Sequence, residues 1–204
     1  VITPVDMDHQ MYLGNTLAEI AGEKAGILKR GVPAVFGKQH PEALAVMNAQ
    51  AAELGVRVTR AEEFAITDLV MNERGAHFSG LECPLPGEHQ VDNAVTAAQA
   101  LQLLGVSPTG IEEARWPGRI EHVTPNPDTI LDGAHNPAGA QALAKYLRRF
   151  YGTRKRWMIF GAMRDKDVKE VAEILFSVAD ELVFTAPKAP GSRAMPPEEL
   201  QSLS

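Results

Sequence analysis

Short apolar runs alternate with longer alanine-rich or amphipathic stretches along most of this 204-residue chain, and glycine or proline marks most of the changes. That alternation predicts an α/β protein with largely parallel sheets. Residues 1–3 read as the end of a strand. Asn15 is placed to cap a helix over 16–29, with Gly31 as its stop and Pro33 leading into a short strand over 34–36. Pro41 opens a second helix to Leu54, closed by Gly55, and a strand follows over 56–59. Residues 66–85 lack helix signals and read as antiparallel strands turning at Glu73-Arg74-Gly75. An alanine-rich helix follows over 91–104.

Residues 107–118 carry two prolines and two glycines around a short helical stretch, so a domain boundary is expected near Trp116. Beyond it, 120–124 and 129–131 read as strands, and Asn136-Pro137 starts a helix to Tyr151. Residues 157–160 read as a buried strand, 168–179 as a helix and 182–185 as a strand. Pro196-Pro197-Glu198-Glu199 begins a last helix. The second domain is therefore expected to be a small doubly wound unit.

Charge narrows the function. A net charge of −6 without a long basic block argues against general nucleic-acid binding. Arg148, Arg149, Arg154, Lys155 and Arg156 fall at a helix end and the turn after it, where cations complement the dipole; a phosphate patch is the other reading. No apolar run approaches the roughly 20 residues of a membrane helix, so no membrane partner is expected. The single cysteine, Cys83, excludes an internal disulfide framework and a cysteine-rich zinc site, and suggests a cytoplasmic protein. Val1-Ile2-Thr3-Pro4 has neither an initiator Met nor a basic leader, and reads as a domain entered midway.

Three strings can carry chemistry. Asp6-Met7-Asp8-His9 follows a strand, where α/β proteins place ligands. Beyond it, Lys24 stands between Gly22 and Gly26 in a small-residue helix. Helix-interior glycines cost about 1 kcal/mol each relative to alanine, so either a ligand approaches the backbone or two helices pack closely there. Gly87-Glu88-His89-Gln90-Val91-Asp92-Asn93 stands at the mouth of the alanine-rich helix. Asn93 has the donor and acceptors that adenine recognition needs, and it is also a fit N-cap. In Leu131-Asp132-Gly133-Ala134-His135-Asn136-Pro137 a strand ends in an acid and feeds a helix. Asp132 can accept from a ribose hydroxyl, and His135 and the Arg119 of Pro117-Gly118-Arg119 can reach phosphate oxygens.

Taken in order, these strings resemble the folylpolyglutamate synthase and dihydrofolate synthase branch of the Mur ligase family. Leu13-Gly14-Asn15-Thr16-Leu17, Glu23-Lys24-Ala25-Gly26-Ile27, Gln90 to Ala98 and Phe160-Gly161-Ala162-Met163 also fit. The resemblance implies a partial P-loop NTPase-like central Mur ligase domain over 1–116 and a Rossmann-like C-terminal domain over 117–204. It implies an ATP-dependent ligase that joins a pteroate or folate carboxylate to L-glutamate through an acyl phosphate. By the same resemblance His9 is a magnesium ligand. Lys24 is carbamylated, catalytic and metal-binding, which requires a site that lowers its pKa. Asn93 contacts adenine, Arg119 the triphosphate and Asp132 the ribose, and His135, counted with Lys24 as catalytic, lies near the phosphates. The string G-x-x-x-x-G-K-[ST] does not occur here, so a missing N-terminal half is expected, and with it an open sheet edge through which the chain could self-associate. A non-catalytic nucleotide-binding module and a cell-wall Mur ligase are the competing readings.

Overall fold

The computed structural model describes residues 1–7, 13–164, 168–187 and 193–204, and the chain divides into two units, Val1–Arg115 and Trp116–Ser204. In the first unit, helix α1 (Leu17–Ala25) starts at a capping box. The Thr16 side chain accepts from the Glu19 amide, while Glu19 accepts from the amides of Thr16 and Asn15. Those bonds, the one from Asn15 first, hold the Glu19 carboxyl below its ordinary 4.5. The cap is thus Thr16 rather than Asn15, and the helix stops at Gly26, short of the expected 29. Gly26 is the C-cap, not an interior glycine.

Strand β1 (Ala34–Phe36), helix α2 (Pro41–Leu54) and strand β2 (Val58–Arg60) follow. His40 caps α2, Pro41 takes its first turn, and Gly55 ends it in the left-handed region, as the proline and glycine predict. β1 and β2 pair in parallel, and Ile2 bridges Phe36 in the same direction. Ile20, Ala21 and Ala25 of α1 share one core with Ala43, Met47 and Ala51 of α2. A Cβ on Gly22 would meet Val46 at 3.9 Å, an ordinary contact, so Gly22 belongs to helix packing and not to a tight ligand approach.

A three-stranded antiparallel sheet follows: β3 (Val70–Asn72), β4 (Gly75–Phe78) and β5 (Leu81–Cys83). The Asn72 carboxamide oxygen accepts from the amides of Arg74 and Gly75 and makes the turn. A Cβ at Gly75 would collide with the Cys83 carbonyl, so only glycine fits that ladder position. Phe78, Cys83, Ala76 and Ala61 pack with Val91, Ala94 and Val95 of helix α3 (Glu88–Leu103). Burial raises the Cys83 thiol pKa above 9.0, which fits a packing role. Helix α3 starts at Glu88, earlier than the expected 91, because Gly87 caps it at φ 101°, a conformation other residues avoid.

In the second unit, β6 (Glu121–Pro125) and β7 (Asp128–Leu131) form an antiparallel hairpin, and helix α4 (Pro137–Tyr151) follows. Strands β8 (Trp157–Phe160) and β9 (Glu181–Phe184) pair in parallel, with helix α5 (Val168–Phe176) between them in sequence and the short helix α6 (Pro197–Gln201) after them. Parallel pairing is therefore confined, among the described residues, to β1–β2, β8–β9 and the Ile2 bridge. The other strands run antiparallel because their connections are too short for a crossover.

Ala140 and Ala144 of α4, Val171 and Leu175 of α5 and Leu200 of α6 form a core with Phe160, Met158 and Phe184. The expectation of a buried strand at 157–160 is corrected: Trp157 is 66% and Ile159 73% exposed. Strand side chains alternate between faces, and only the Met158–Phe160 face meets that core. The hairpin is tied to α4 by polar contacts. His122 Nδ1 lies 3.2 Å from Asp128 Oδ1 and its Nε2 3.0 Å from the Tyr146 hydroxyl, and Tyr151 donates to Asp128 Oδ2 at 2.8 Å. Burial, then the bond to Asp128, raises the Tyr151 pKa above its ordinary 10.0. No helix among the described residues is long and apolar enough to cross a membrane.

Candidate functional site

The β6–β7 ladder pairs Glu121 with Leu131, so the residue before one strand lies beside the residue after the other. Arg119-Ile120 and Asp132-Gly133 are thereby brought together, although twelve positions separate Ile120 from Asp132. Backbone groups lock the two loops. The Ile120 amide donates to Asp132 Oδ2 at 2.8 Å, and the Ala134 amide donates to Asp132 Oδ1 at 2.7 Å. The Gly133 amide donates to the Gly118 carbonyl, and the Gly118 amide to Glu121 Oε2, each at 2.8 Å. Each oxygen of the Asp132 carboxylate therefore holds an amide and keeps a lone pair for a ligand.

Ile120 supports this arrangement at a conformational cost. It is β-branched, 1% exposed and at φ 49°, in the left-handed region that such residues avoid. Its side chain is held among Tyr146, Tyr151, Ile130 and Leu143. Arg119, next to it, is exposed, and its guanidinium makes no hydrogen bond or ion pair among the described residues. A fork of donors in that state can bind an anion without first breaking a contact.

Asp132 and His135 line a cavity of about 570 Å³ with Phe160, Met163, Val171 and Thr185. It lies beyond the C-terminal ends of β7, β8 and β9, where open α/β sheets receive ligands. His135 Nδ1 is 2.9 Å from the Gly133 carbonyl, which fixes its ring at the mouth of α4. Asn136 caps α4 by accepting from the Gly139 amide at 2.8 Å.

The remaining predicted residues belong to the first unit. Asn93 is exposed on α3, past the first turn, so it is not the N-cap. Its Nδ2 donates to Gln90 Oε1 at 3.0 Å. Gln90 is 6% exposed, and its Nε2 lies 3.2 Å from His89 Nε2. Lys24 is exposed in the last turn of α1. His9 and Asp8 lie outside the described residues. No group of three or more His, Cys, Asp or Glu able to hold a metal occurs among the described residues. Sequence reading missed the hydrogen bonds of Gln90 and Glu121 and the left-handed backbone of Ile120. A glutamine beside a helix mouth and a glutamate two residues after arginine were the only signals.

Residues 118–203 match the Mur ligase, glutamate ligase domain family. Over its whole length the chain is 32% identical to the folylpolyglutamate synthase of Lacticaseibacillus casei, covering 52% of that protein. It is 36% identical to the dihydrofolate synthase/folylpolyglutamate synthase of Mycobacterium tuberculosis, over 98% of this chain and 46% of that one. Among solved structures, the M. tuberculosis folylpolyglutamate synthase complexed with ADP and AMPPCP superposes with a TM-score of 0.87 at 34% identity, covering 99% of this chain and 50% of that one. A folylpolyglutamate synthase–AMPPCP–folate complex gives 0.82 at 31% identity, over 95% and 52%. The chain spans about half the length of the curated relatives it matches.

Proposed function

We propose, from the homology of this chain to the folylpolyglutamate and dihydrofolate synthases, that it is part of an ATP-dependent ligase that joins a pteroate or folate carboxylate to L-glutamate. One observation carries the site assignment. The strand-end acid Asp132 is held by two backbone amides at the mouth of a cavity, with the uncommitted guanidinium of Arg119 on the adjoining loop. That pairing suits a ribose hydroxyl on the carboxylate and phosphate oxygens on the arginine.

In this reading residues 1–116 are the C-terminal part of a P-loop NTPase-like central domain, and 117–204 are a Rossmann-like Mur ligase C-terminal domain. A carboxylate oxygen of the pteroate or folate takes the γ-phosphoryl group of ATP, giving an acyl phosphate and ADP. The amino group of glutamate then attacks the acyl carbon, the C–O bond to phosphate breaks, and inorganic phosphate leaves. Arg119 neutralises phosphate charge through its fork, Asp132 orients the ribose, and His135 stands near the phosphates. Asn93 meets the adenine edge. His9 and a carbamylated Lys24 are the residues that would hold Mg²⁺, whose role would be to neutralise phosphate charge. The ligase would work in the cytoplasm, where ATP and folates are at hand.

The test is phosphate release by the full-length protein with ATP, glutamate and, in turn, dihydropteroate, tetrahydrofolate and a UDP-muramyl precursor. Release that requires both glutamate and a pterin supports the reading. Release only with the UDP-linked precursor makes it a cell-wall ligase, and nucleotide binding without any turnover makes it a binding module. Either result overturns the assignment.

A further inference from the structure

Gln90 is a polar side chain in the core of the first unit, and the proposed chemistry does not use it. It precedes Asn93 by three positions on α3, so the two share a helix face. Its main-chain carbonyl accepts from the Cys83 thiol at 3.6 Å, which ties the first turn of α3 to β5. Its side-chain Nε2 can only donate. The facing Nε2 of His89, 3.2 Å away, must therefore be an acceptor, with the ring proton on Nδ1. This leaves Gln90 Oε1 turned toward Asn93, and only the Nδ2 of Asn93 can donate to it, at 3.0 Å. The His89 tautomer and the two amide orientations are thus set together as one consistent network.

We infer that Gln90 is a positioning residue that sets base specificity by fixing which way round the Asn93 amide faces. The inference rests on the reading of Asn93 as the adenine contact. With one Nδ2 hydrogen committed to Gln90, Asn93 offers a ligand its Oδ1 and the other Nδ2 hydrogen. Adenine presents a matching pair, an amino donor at N6 and a ring-nitrogen acceptor beside it. Guanine presents O6 at the same place, and two acceptor oxygens then face each other. A freely turning Asn93 would lessen that penalty by rotating its amide through a half-turn, which sets its Nδ2 against O6. The buried acceptor of Gln90 opposes the rotation, because it would bring Oδ1 against Oε1.

The experiment compares kcat/KM for ATP and GTP in the full-length protein and in variants. Gln90→Met keeps the length of the side chain and removes both polar atoms. Its ATP-to-GTP preference should fall by about tenfold or more. Gln90→Glu keeps an acceptor toward Asn93 and should retain most of the preference. Asn93→Ala should lose the preference, and Gln90→Met should then change it no further, which a merely structural role for Gln90 would not produce. Should Gln90→Met fail to give a folded circular dichroism spectrum, Gln90→Leu takes its place. The inference is overturned if Asn93→Ala loses the preference while the apolar variants keep it, or if Gln90→Glu loses as much as Gln90→Met. If Asn93→Ala itself leaves the ATP preference intact, the adenine reading of Asn93 is what fails.

Discussion

The paired loops of the second unit and helix α1 of the first both carry predicted site residues, but they hold them in different ways. In the loops, Asp132 accepts from two backbone amides, and Ile120 is buried in a strained conformation beside the exposed Arg119. On α1, Lys24 projects from the last turn of a helix whose buried face is made by Ile20, Ala21 and Ala25. A residue built into the backbone bonding serves folding and binding together. A residue standing on a finished helix can be changed with little effect on the fold. The contrast predicts which substitutions act on stability and which only on binding.

The largest effect on the fold is expected from Asp132→Ala. It strands the amides of Ile120 and Ala134, and should lower the stability of the second unit by about 1–3 kcal/mol in urea titration while also weakening nucleotide binding. An unchanged melt would mean that the loops do not depend on this carboxylate.

Tyr151→Phe should come next, at about 1 kcal/mol, through loss of the bond to Asp128 that helps pin the hairpin to α4. Its pH dependence has a definite sign. Because the Tyr151 pKa is raised in the fold, its contribution is complete below the ordinary 10.0 and is lost as pH climbs through the higher folded value. Thermal melts should therefore show an alkaline loss of stability in the wild type that is smaller in the variant.

Arg119→Ala should change stability by less than about 0.5 kcal/mol. In the full-length protein it should weaken ADP binding about tenfold or more, read by calorimetry. A stability loss as large as that of Asp132→Ala would show that the arginine also holds the loops. Lys24→Ala should have the smallest effect on the melt, because alanine is the better helix former and the position is exposed. If Lys24 has its proposed role, turnover by the full-length protein should nonetheless collapse. A normal rate would remove it from the reaction.

Helix ends written by single residues were legible in the sequence: Pro41 and Gly55 bounding α2, and Asn136-Pro137 opening α4. Where the end depended on a rarer device, the reading slipped. Glycine at φ 101° starts α3 earlier than its alanines suggest, and Gly26 ends α1 before the expected residue 29. The apolar run 157–160 announced a strand, but a run alone cannot say whether one face or two are covered. At the site, Asp132 and Arg119 stood out as strings, whereas the left-handed Ile120 and the Gln90–Asn93 bond arise only from tertiary placement. No local propensity encodes them.

The outward face of β8 has an optical consequence. Trp157 and Trp116, the two tryptophans of the chain, are 66% and 64% exposed. Both indoles already emit from water in the native state, so their fluorescence should shift little to the red on denaturation. The same property makes Trp157 a built-in dye for surface contact: whatever settles over that strand will move its emission to the blue while the fold beneath stays as it was.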